Sequence, residues 1–441
     1  MNSDGNRKGL VLIGVLWVVV VLMVIVAVLG RKSRLDTKVC LARTEGVRCK
    51  WACRAGIEKA IGLLYEDTRE SDCLTDLWSD NEEDFNDIAL QRCFFTVRVV
   101  DEASKLNINT VTKGQLLALP EMVDEVADAI IDWRDSDETP SEGGAEGGYY
   151  ENLQYGYMTR NGPFRTIREL LMVKDVTDQW FYGEDTNFNG RLDYNERDGE
   201  ENAPYDDGDS ELDQGWISYL TCYSYDNNKD AEGNQKTNIN SASANQLTSS
   251  LGISSAQAQW IVDERPQNGY ESIGDLVSSN SPQTPQGGSS GGSGGGPGGS
   301  NQAQPLDLQT FSQIADKITV DDGEKVLGKV NINTASEIVL AALLGGGDTA
   351  EQTALEIVAY REGLVYGMQS IAELLDVGSI SMDTFKSIAS FVTVRSDVYT
   401  IHSVATADRG GASGFSLWTE AVVDRSSSPC QILYWYQGAS N

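Results

Sequence analysis

Residues Leu10 to Leu29 form an apolar run of 20 with no charged side chain, long enough to cross a bilayer as a helix. Beyond it, residues 43–65 keep apolar positions at helical spacing through Val47, Trp51, Ala55, Ile57, Ile61 and Leu64, without a proline. The same helix is therefore expected to continue well outside the bilayer. The period then changes. Cys93-Phe-Phe-Thr-Val-Arg-Val-Val100 is β-branched and aromatic and predicts a strand, as do Tyr399–Val404, Phe415–Val423 and Gln431–Tyr436, which Gly-Gly and Ser-Ser-Ser-Pro turn signals separate. Short loops make the last three antiparallel. With the Cys93 strand they predict a small sheet packed on the long helix. The intervening chain reads as helical, a large insertion between the first strand and the last three, so the fold class is α+β.

Within that insertion one phrase is used three times: Leu106-Asn-Ile-Asn-Thr110, Thr237-Asn-Ile-Asn-Ser241 and Val330-Asn-Ile-Asn-Thr334. Each is followed by a helical pattern ending in an apolar pair and an arginine, at Ile130, Ile131 and Arg134, at Ile261, Val262 and Arg265, and at Ile357, Val358 and Arg361. The first Asn stands 27, 27 and 30 residues before its arginine, an internal repeat with one short insertion around Gly345–Asp348. Each copy closes on a third helix start, in which Thr166, Ser272 or Ser370 stands three residues before Glu169, Asp275 or Glu373, the spacing of a capping box. The unit is helix, hairpin, helix and a short third helix. The paired asparagines are expected to tie the strand exit to the helix start by side-chain bonds to backbone, and the arginines to hold helix ends.

These patterns divide the chain into a transmembrane helix (10–30), a helix and first strand (31–105), a first repeat with acidic interruptions (106–236), a second repeat (237–280), a linker (281–305), a third repeat (306–396) and the C-terminal strands (397–441). The linker is Gly, Ser, Pro and Gln, a composition that cannot bury enough apolar surface to order itself.

Charge sharpens the functional reading. The chain carries a formal charge of −32, but residues 1–60 hold 11 Lys/Arg against 4 Asp/Glu and the remainder 23 against 62. Such an acidic distal part repels nucleic acid and invites cations. Arg7 and Lys8 precede the apolar run while Arg31, Lys32 and Arg34 follow it, so flanking charge alone does not orient it. The run is long for a signal peptide and lacks a small-x-small cleavage site, which favours a retained anchor. Seven cysteines and one histidine, His402, give no CxxC pair and argue against a zinc site. In an oxidising space, Cys73 and Cys93, flanking an acidic loop, are the expected disulfide, and the odd total leaves a thiol over.

The most specific local motif is Asp185-Thr-Asn187-Phe-Asn189-Gly190-Arg191-Leu192-Asp193-Tyr-Asn-Glu196, which matches a calcium loop at every defined position. Oxygen donors at Asp185, Asn187, Asn189, Asp193 and Glu196 would wrap one hard cation, Arg191 would give only its carbonyl, and Gly190 permits the sharp turn. Between Glu184 and Asp213 lie 12 carboxylates and two arginines. A second ion could use Asp206, Asp207 and Asp209, or the earlier cluster Asp132, Asp135, Asp137 and Glu146.

Helix-hairpin-helix units elsewhere lay backbone N–H groups on DNA phosphate, which gives an alternative reading as a membrane-anchored DNA-binding or uptake protein. The hairpins here, Leu119–Val123, Leu251–Ser254 and Leu344–Asp348, have acidic or neutral surroundings, and that reading loses on charge. Catalysis has little support, because a single histidine in a strand-like run composes no nucleophilic triad. Neither a small-molecule substrate nor a nucleic acid is expected.

Several stretches resemble one family: Arg7-Lys-Gly9 followed by Leu10-Val-Leu-Ile-Gly14, Ala52–Ala60, Val99–Thr110, Asp132-Trp-Arg-Asp-Ser-Asp-Glu-Thr-Pro140 with Gly144-Ala-Glu-Gly-Gly-Tyr-Tyr150, Asn161-Gly-Pro-Phe164 and Glu169–Lys174. They are similar to the general secretion pathway protein K family, minor pseudopilins of bacterial type II secretion systems, over nearly the whole chain. The resemblance implies a leader (1–9) cut by the prepilin peptidase between Gly9 and Leu10, and a pilin-like helix and sheet with an inserted domain of helix-hairpin-helix, SAM-like repeats. It also implies calcium in the acidic loops, minor pseudopilins I and J as partners, and a place at the pseudopilus tip, anchored once in the inner membrane with the bulk in the periplasm. Most pseudopilins carry a glutamate as fifth mature residue to neutralise a neighbour's amine; Gly14 stands there, as in a tip subunit with no neighbour above. The middle repeat and the linker depart from the family pattern.

Overall fold

The computed structural model describes residues 5–185, 192, 196, 199, 208, 210–277, 304–408 and 415–440, with side chains from residue 12 to 438. Helix α1 spans Gly5–Glu66, 62 residues without a break, or roughly 93 Å at 1.5 Å per residue. Its N-terminal part is apolar and none of it is buried. That part is long and apolar enough to cross a membrane. From Cys49 onward one face of α1 is buried by a five-stranded sheet of β1 (Ile88–Leu90), β2 (Cys93–Asp101), β3 (Val398–Ala407), β4 (Ser416–Asp424) and β5 (Gln431–Ser440), in that spatial order and antiparallel throughout. The expected four strands are present; β1 is too short to leave a period in the sequence.

Alternation along β2 sends Cys93, Phe95, Val97 and Val99 to the α1 side. There they meet Cys49, Ala52, Cys53, Ile57, Ala60 and Leu64 across a core completed by Trp78, Tyr399, Ile401, Ala421 and Val423. Gly56 permits the approach, since a Cβ built there would lie 2.6 Å from Ser403 Oγ and 2.7 Å from Val97 Cγ2. The expected Cys73 to Cys93 disulfide does not form. Cys73 Sγ lies 3.1 Å from Thr75 Oγ1 and 3.2 Å from Asp76 Oδ1, in a loop that turns away from the sheet core, while Cys93 faces Cys49.

The insertion leaves and returns at one place, because Asp101 at the end of β2 pairs with Tyr399 at the start of β3. Within it a second core collects the three Asn-Ile-Asn copies. Each phrase forms one short strand with a parallel partner: Leu106–Asn107 with Leu220–Thr221, Thr237–Asn238 with Ile318–Thr319, and Val330–Asn331 with Val392–Thr393. Two helices follow in every copy, at Lys113–Leu116 and Asp124–Arg134, Ala244–Leu251 and Ser255–Asp263, and Glu337–Leu343 and Asp348–Glu362. A short 3₁₀ helix of four to six residues then closes it, with the expected capping boxes at Thr166 and Glu169, Ser272 and Asp275, and Ser370 and Glu373.

The second and third copies exchange their last helices. Leu308–Ile314, which leads into the second copy's strand partner, packs on Ile371–Asp376 of the third, while Met382–Ile388 of the third packs on Ile273–Leu276 of the second. Phe311 and Phe385 meet edge to face at 5.9 Å between centroids across this exchange. Residues 306–319, grouped with the third copy in the sequence, thus complete the second copy's strand pairing.

Candidate metal centre

The asparagine pairs show how the sequence builds each copy. The first Asn accepts the N–H of the second through its Oδ1, at 2.9, 2.7 and 3.0 Å for Asn107, Asn238 and Asn331. The second Asn then makes a two-way bond with the residue entering the third helix. Asn109 donates to Phe164 O at 3.0 Å and accepts from its N–H at 2.7 Å; Asn240 does the same with Tyr270 at 3.0 and 2.7 Å, and Asn333 with Met368 at 2.9 and 2.8 Å. The arginines close the other side. Arg361 Nη1 donates to Ile332 O and Ala335 O, both at 2.7 Å, Arg265 Nη2 to Ala242 O at 2.7 Å, and Arg134 to Ile108 O and Val111 O. These cations are spent on carbonyls of their own copies rather than held out for a phosphate.

In the first copy this frame positions a cluster of carboxylates. Asp132 and Asp135 lie near the C-terminal end of Asp124–Arg134, and Glu146 immediately precedes Gly147–Glu151. Each offers one carboxylate oxygen within 4.8 Å of the other two, a spacing that one cation with oxygen ligands at about 2.3–2.6 Å can bridge. Asp132 is 1% exposed, and its oxygens accept the N–H and hydroxyl of Ser141 at 3.0 and 2.7 Å. The loop passes so near that a Cβ on Gly144 would lie 1.9 Å from Asp132 Oδ2. Glu146 is 6% exposed, and neither of its oxygens has a hydrogen-bond partner. Burial first, then the charges of Asp135, Asp132, Glu138 and Asp137, push its carboxyl up to about 7. An unpaired buried carboxyl is costly, and a bound cation would remove that cost. Of the four residues expected to share this site, Asp137 is not among the three whose oxygens converge; its carboxylate accepts the Thr139 N–H at 2.7 Å.

The acidic loop after Tyr182 is pinched at its base. Glu184 N donates to Asp213 O at 2.9 Å, and Asp213 N to Glu184 Oε2 at 2.9 Å. Gly183, at φ +65°, and Gly215 make this possible, because a Cβ on the first would lie 2.4 Å from Asp213 O and one on the second 2.4 Å from Gly183 N. Asp185 and Glu196, first and last of the expected calcium loop, are 7% and 0% exposed, and Arg98 reaches Asp185 at 3.8 Å. Asn187, Asn189, Arg191, Asp193, Asp206, Asp207 and Asp209 lie outside the described residues.

Two further placements bear on function. His402 sits on β3, half-buried between Arg98 and Glu420, with its pKa lowered to about 3 by desolvation first and then by Lys105 and Arg98, so it stays neutral. Gly9 and Leu10 lie within α1. The cysteine neighbours Cys49 and Cys93 were missed in the sequence because 44 residues separate them and neither forms part of a motif.

Family models for protein K of the type II secretion system match two segments of the insertion, residues 101–182 and 237–291. The first holds the carboxylate cluster and the second the middle repeat. No curated protein sequence matches the chain significantly. Among solved structures, the chain is similar to one in the complex of GspK, GspI and GspJ from the type 2 secretion system of enterotoxigenic Escherichia coli, with 12% identity, a TM-score of 0.47, and 91% of this chain and 99% of that chain covered.

Proposed function

We propose that this chain, a minor pseudopilin of a type II secretion system, is its protein K and caps the pseudopilus, helping to start the assembly that exports proteins across the outer membrane. The observation that carries the reading is α1, one unbroken helix that begins apolar and unburied and ends packed under an antiparallel sheet, while the segments matching protein K lie between that sheet's second and third strands. A subunit built this way lends its helix to a bundle with its neighbours. In this reading the partners are the minor pseudopilins I and J, met through exposed apolar residues of α1 such as Val39, Leu41, Val47 and Trp51. Gly14 provides no carboxylate for the amine of a subunit above, and residues 102–397 add the bulk of a cap. The repeats serve as helix-hairpin-helix scaffold. The anchor lies in the inner membrane with the remainder in the periplasm, and the prepilin peptidase cuts between Gly9 and Leu10.

Calcium is the cofactor of this reading, held by Asp132, Asp135 and Glu146 and by the loop from Asp185 to Glu196. The unpartnered, buried Glu146 supports the first site and the calcium-loop spacing the second. The residues would act only by holding the cation, which ties the interruptions of the first copy to its core.

Mass spectrometry of the membrane-extracted protein tests the pilin-type reading, with a mature N-terminus at Leu10 expected. Co-purification of the full chain with I and J from the membranes of its host tests the assembly. An N-terminus still at Met1, together with recovery free of both partners, would overturn the proposal.

A further inference from the structure

Three thiols meet where α1 first packs on the sheet. Cys49 and Cys53, one helical turn apart, share a face of α1, and Cys93 opens β2 directly opposite; they are 0%, 0% and 2% exposed. Cys49 Sγ lies 4.0 Å from Cys93 Sγ and also donates to Phe415 O at 3.4 Å. Cys53 Sγ is engaged elsewhere, donating to Leu417 O at 3.2 Å. We propose that Cys49 and Cys93 form a disulfide that staples the anchor helix to the second strand of the sheet, leaving Cys53 as a buried free thiol. The proposal rests on the periplasmic placement above for its oxidising surroundings.

The geometry asks for little. The sulfurs are already side by side, 4.0 Å apart on two elements that pack against each other, and the bond would draw them to the S–S length of about 2.05 Å. Both S–H bonds break, one S–S bond forms, two protons leave, and two electrons pass to a disulfide-donating protein whose own S–S bond becomes two thiols through a mixed disulfide. Timing follows from burial. Packed thiols are held mostly protonated, Cys49 pushed up to about 12 and Cys53 to about 11, by burial before all other causes, and the thiolate is the species that attacks. The bond therefore forms while α1 is still settling on β2. Once closed, it is sealed from reductants by the same packing.

Tryptic fragments separate the alternatives, because cleavage gives Cys49-Lys50, Trp51-Ala-Cys53-Arg54 and Cys93–Arg98 as distinct peptides. The full-length chain is denatured, reduced and refolded in detergent with a mixture of oxidised and reduced glutathione, then alkylated with N-ethylmaleimide in denaturant and digested without reductant. The expected result is Cys49-Lys50 linked to Cys93–Arg98, with the alkyl group on Cys53. Alkylation of both Cys49 and Cys93, or a link from Cys93 to Cys53, overturns the proposal. As a second readout, reductant is expected to lower the thermal midpoint of the parent and of C53S by several degrees and to leave C93S unmoved; an equal response of all three overturns it. The same digest on protein taken from membranes tests the compartment separately, since free thiols there beside a refolded link would sink the periplasmic placement and not the pair.

Discussion

Replacing the second asparagine of each Asn-Ile-Asn copy by alanine probes one interaction in three settings. In every copy this side chain both donates to and accepts from one backbone residue, Phe164, Tyr270 or Met368, and Asn333 donates to Val394 O as well, at 3.4 Å. Asn109 and Asn240 are half-buried, so water can replace the lost amide there, and each bond is worth its net value of about 0.5–1.5 kcal/mol. Asn333 is 2% exposed and Met368 0%. Removing its amide strands a buried N–H and a buried carbonyl, each costing about 1–3 kcal/mol. Asn333→Ala is therefore expected to destabilise by about 2–6 kcal/mol, against about 1–3 kcal/mol for Asn109→Ala or Asn240→Ala by the net bond value. Urea unfolding of the chain from residue 31 onward, followed by tryptophan fluorescence, measures the difference at constant m. Equal losses for the three variants, or a loss below about 1 kcal/mol at Asn333, would show that exposure does not set the worth of this bond.

Gly56→Ala places a Cβ within 2.7 Å of Val97 Cγ2 and 2.6 Å of Ser403 Oγ and is expected to cost about 1–3 kcal/mol by overpacking, read in the same unfolding assay. Arg361→Leu leaves the carbonyls of Ile332 and Ala335 without their donor, with an expected loss of about 2–4 kcal/mol; a loss no larger than that of an exposed arginine such as Arg54 would refute the bracing role. Chelating calcium is expected to lower the melting temperature, with Asp185→Ala and Glu146→Gln each shrinking that response and the double variant abolishing it; an unchanged melt in the parent removes calcium from the reading. His402, lowered to about 3 in the folded state from an unfolded value near 6.5, binds its proton more readily when unfolded. Stability is thus full above about pH 6.5 and falls as pH drops toward about 3. His402→Gln is expected to flatten that slope between pH 6 and 4, and parallel pH profiles would refute it.

What the sequence made legible is local. The capping boxes, the bond within each Asn pair and the strand β2 each depend on residues a few positions apart, and all appear where the sequence put them. The long helix and the sheet were legible too, because their periods run over many residues. What escaped involves partners far apart in the chain. Asn331 Nδ2 and Thr334 Oγ1 both donate to Asp101 Oδ2, at 2.9 and 2.6 Å, fixing the third copy to the end of β2 across 230 residues. Arg168 grips Glu420 on β4 through two bonds of 3.1 and 3.2 Å. Nothing in a periodicity selects such pairs. Proximity in sequence misled at Cys73 and Cys93, where a loop that suggested a pair turns its first thiol toward Asp76. In the carboxylate cluster the residue types were readable, but which of them converge was not, since the spacing along the chain does not say that Asp137 turns to the Thr139 N–H while Glu146 comes in from the next helix start.

The meeting of Asp101 with Tyr399 also sets an order of events as the chain folds. The sheet cannot close until β3 has been made, long after β2, and closing a disordered loop of about 300 residues would cost about 5 kcal/mol in chain entropy. An insertion that folds first brings its two ends together through Asn331, Thr334 and Asp101, shortening the effective loop to a few residues and removing most of that barrier. Until then the backbone edge of β2 that pairs with β3 waits without its partner. The repeats, whose contacts are closer in sequence, therefore act as a built-in folding template for the sheet that encloses them, and a slowly folding repeat would lengthen the time this strand spends open to aggregation.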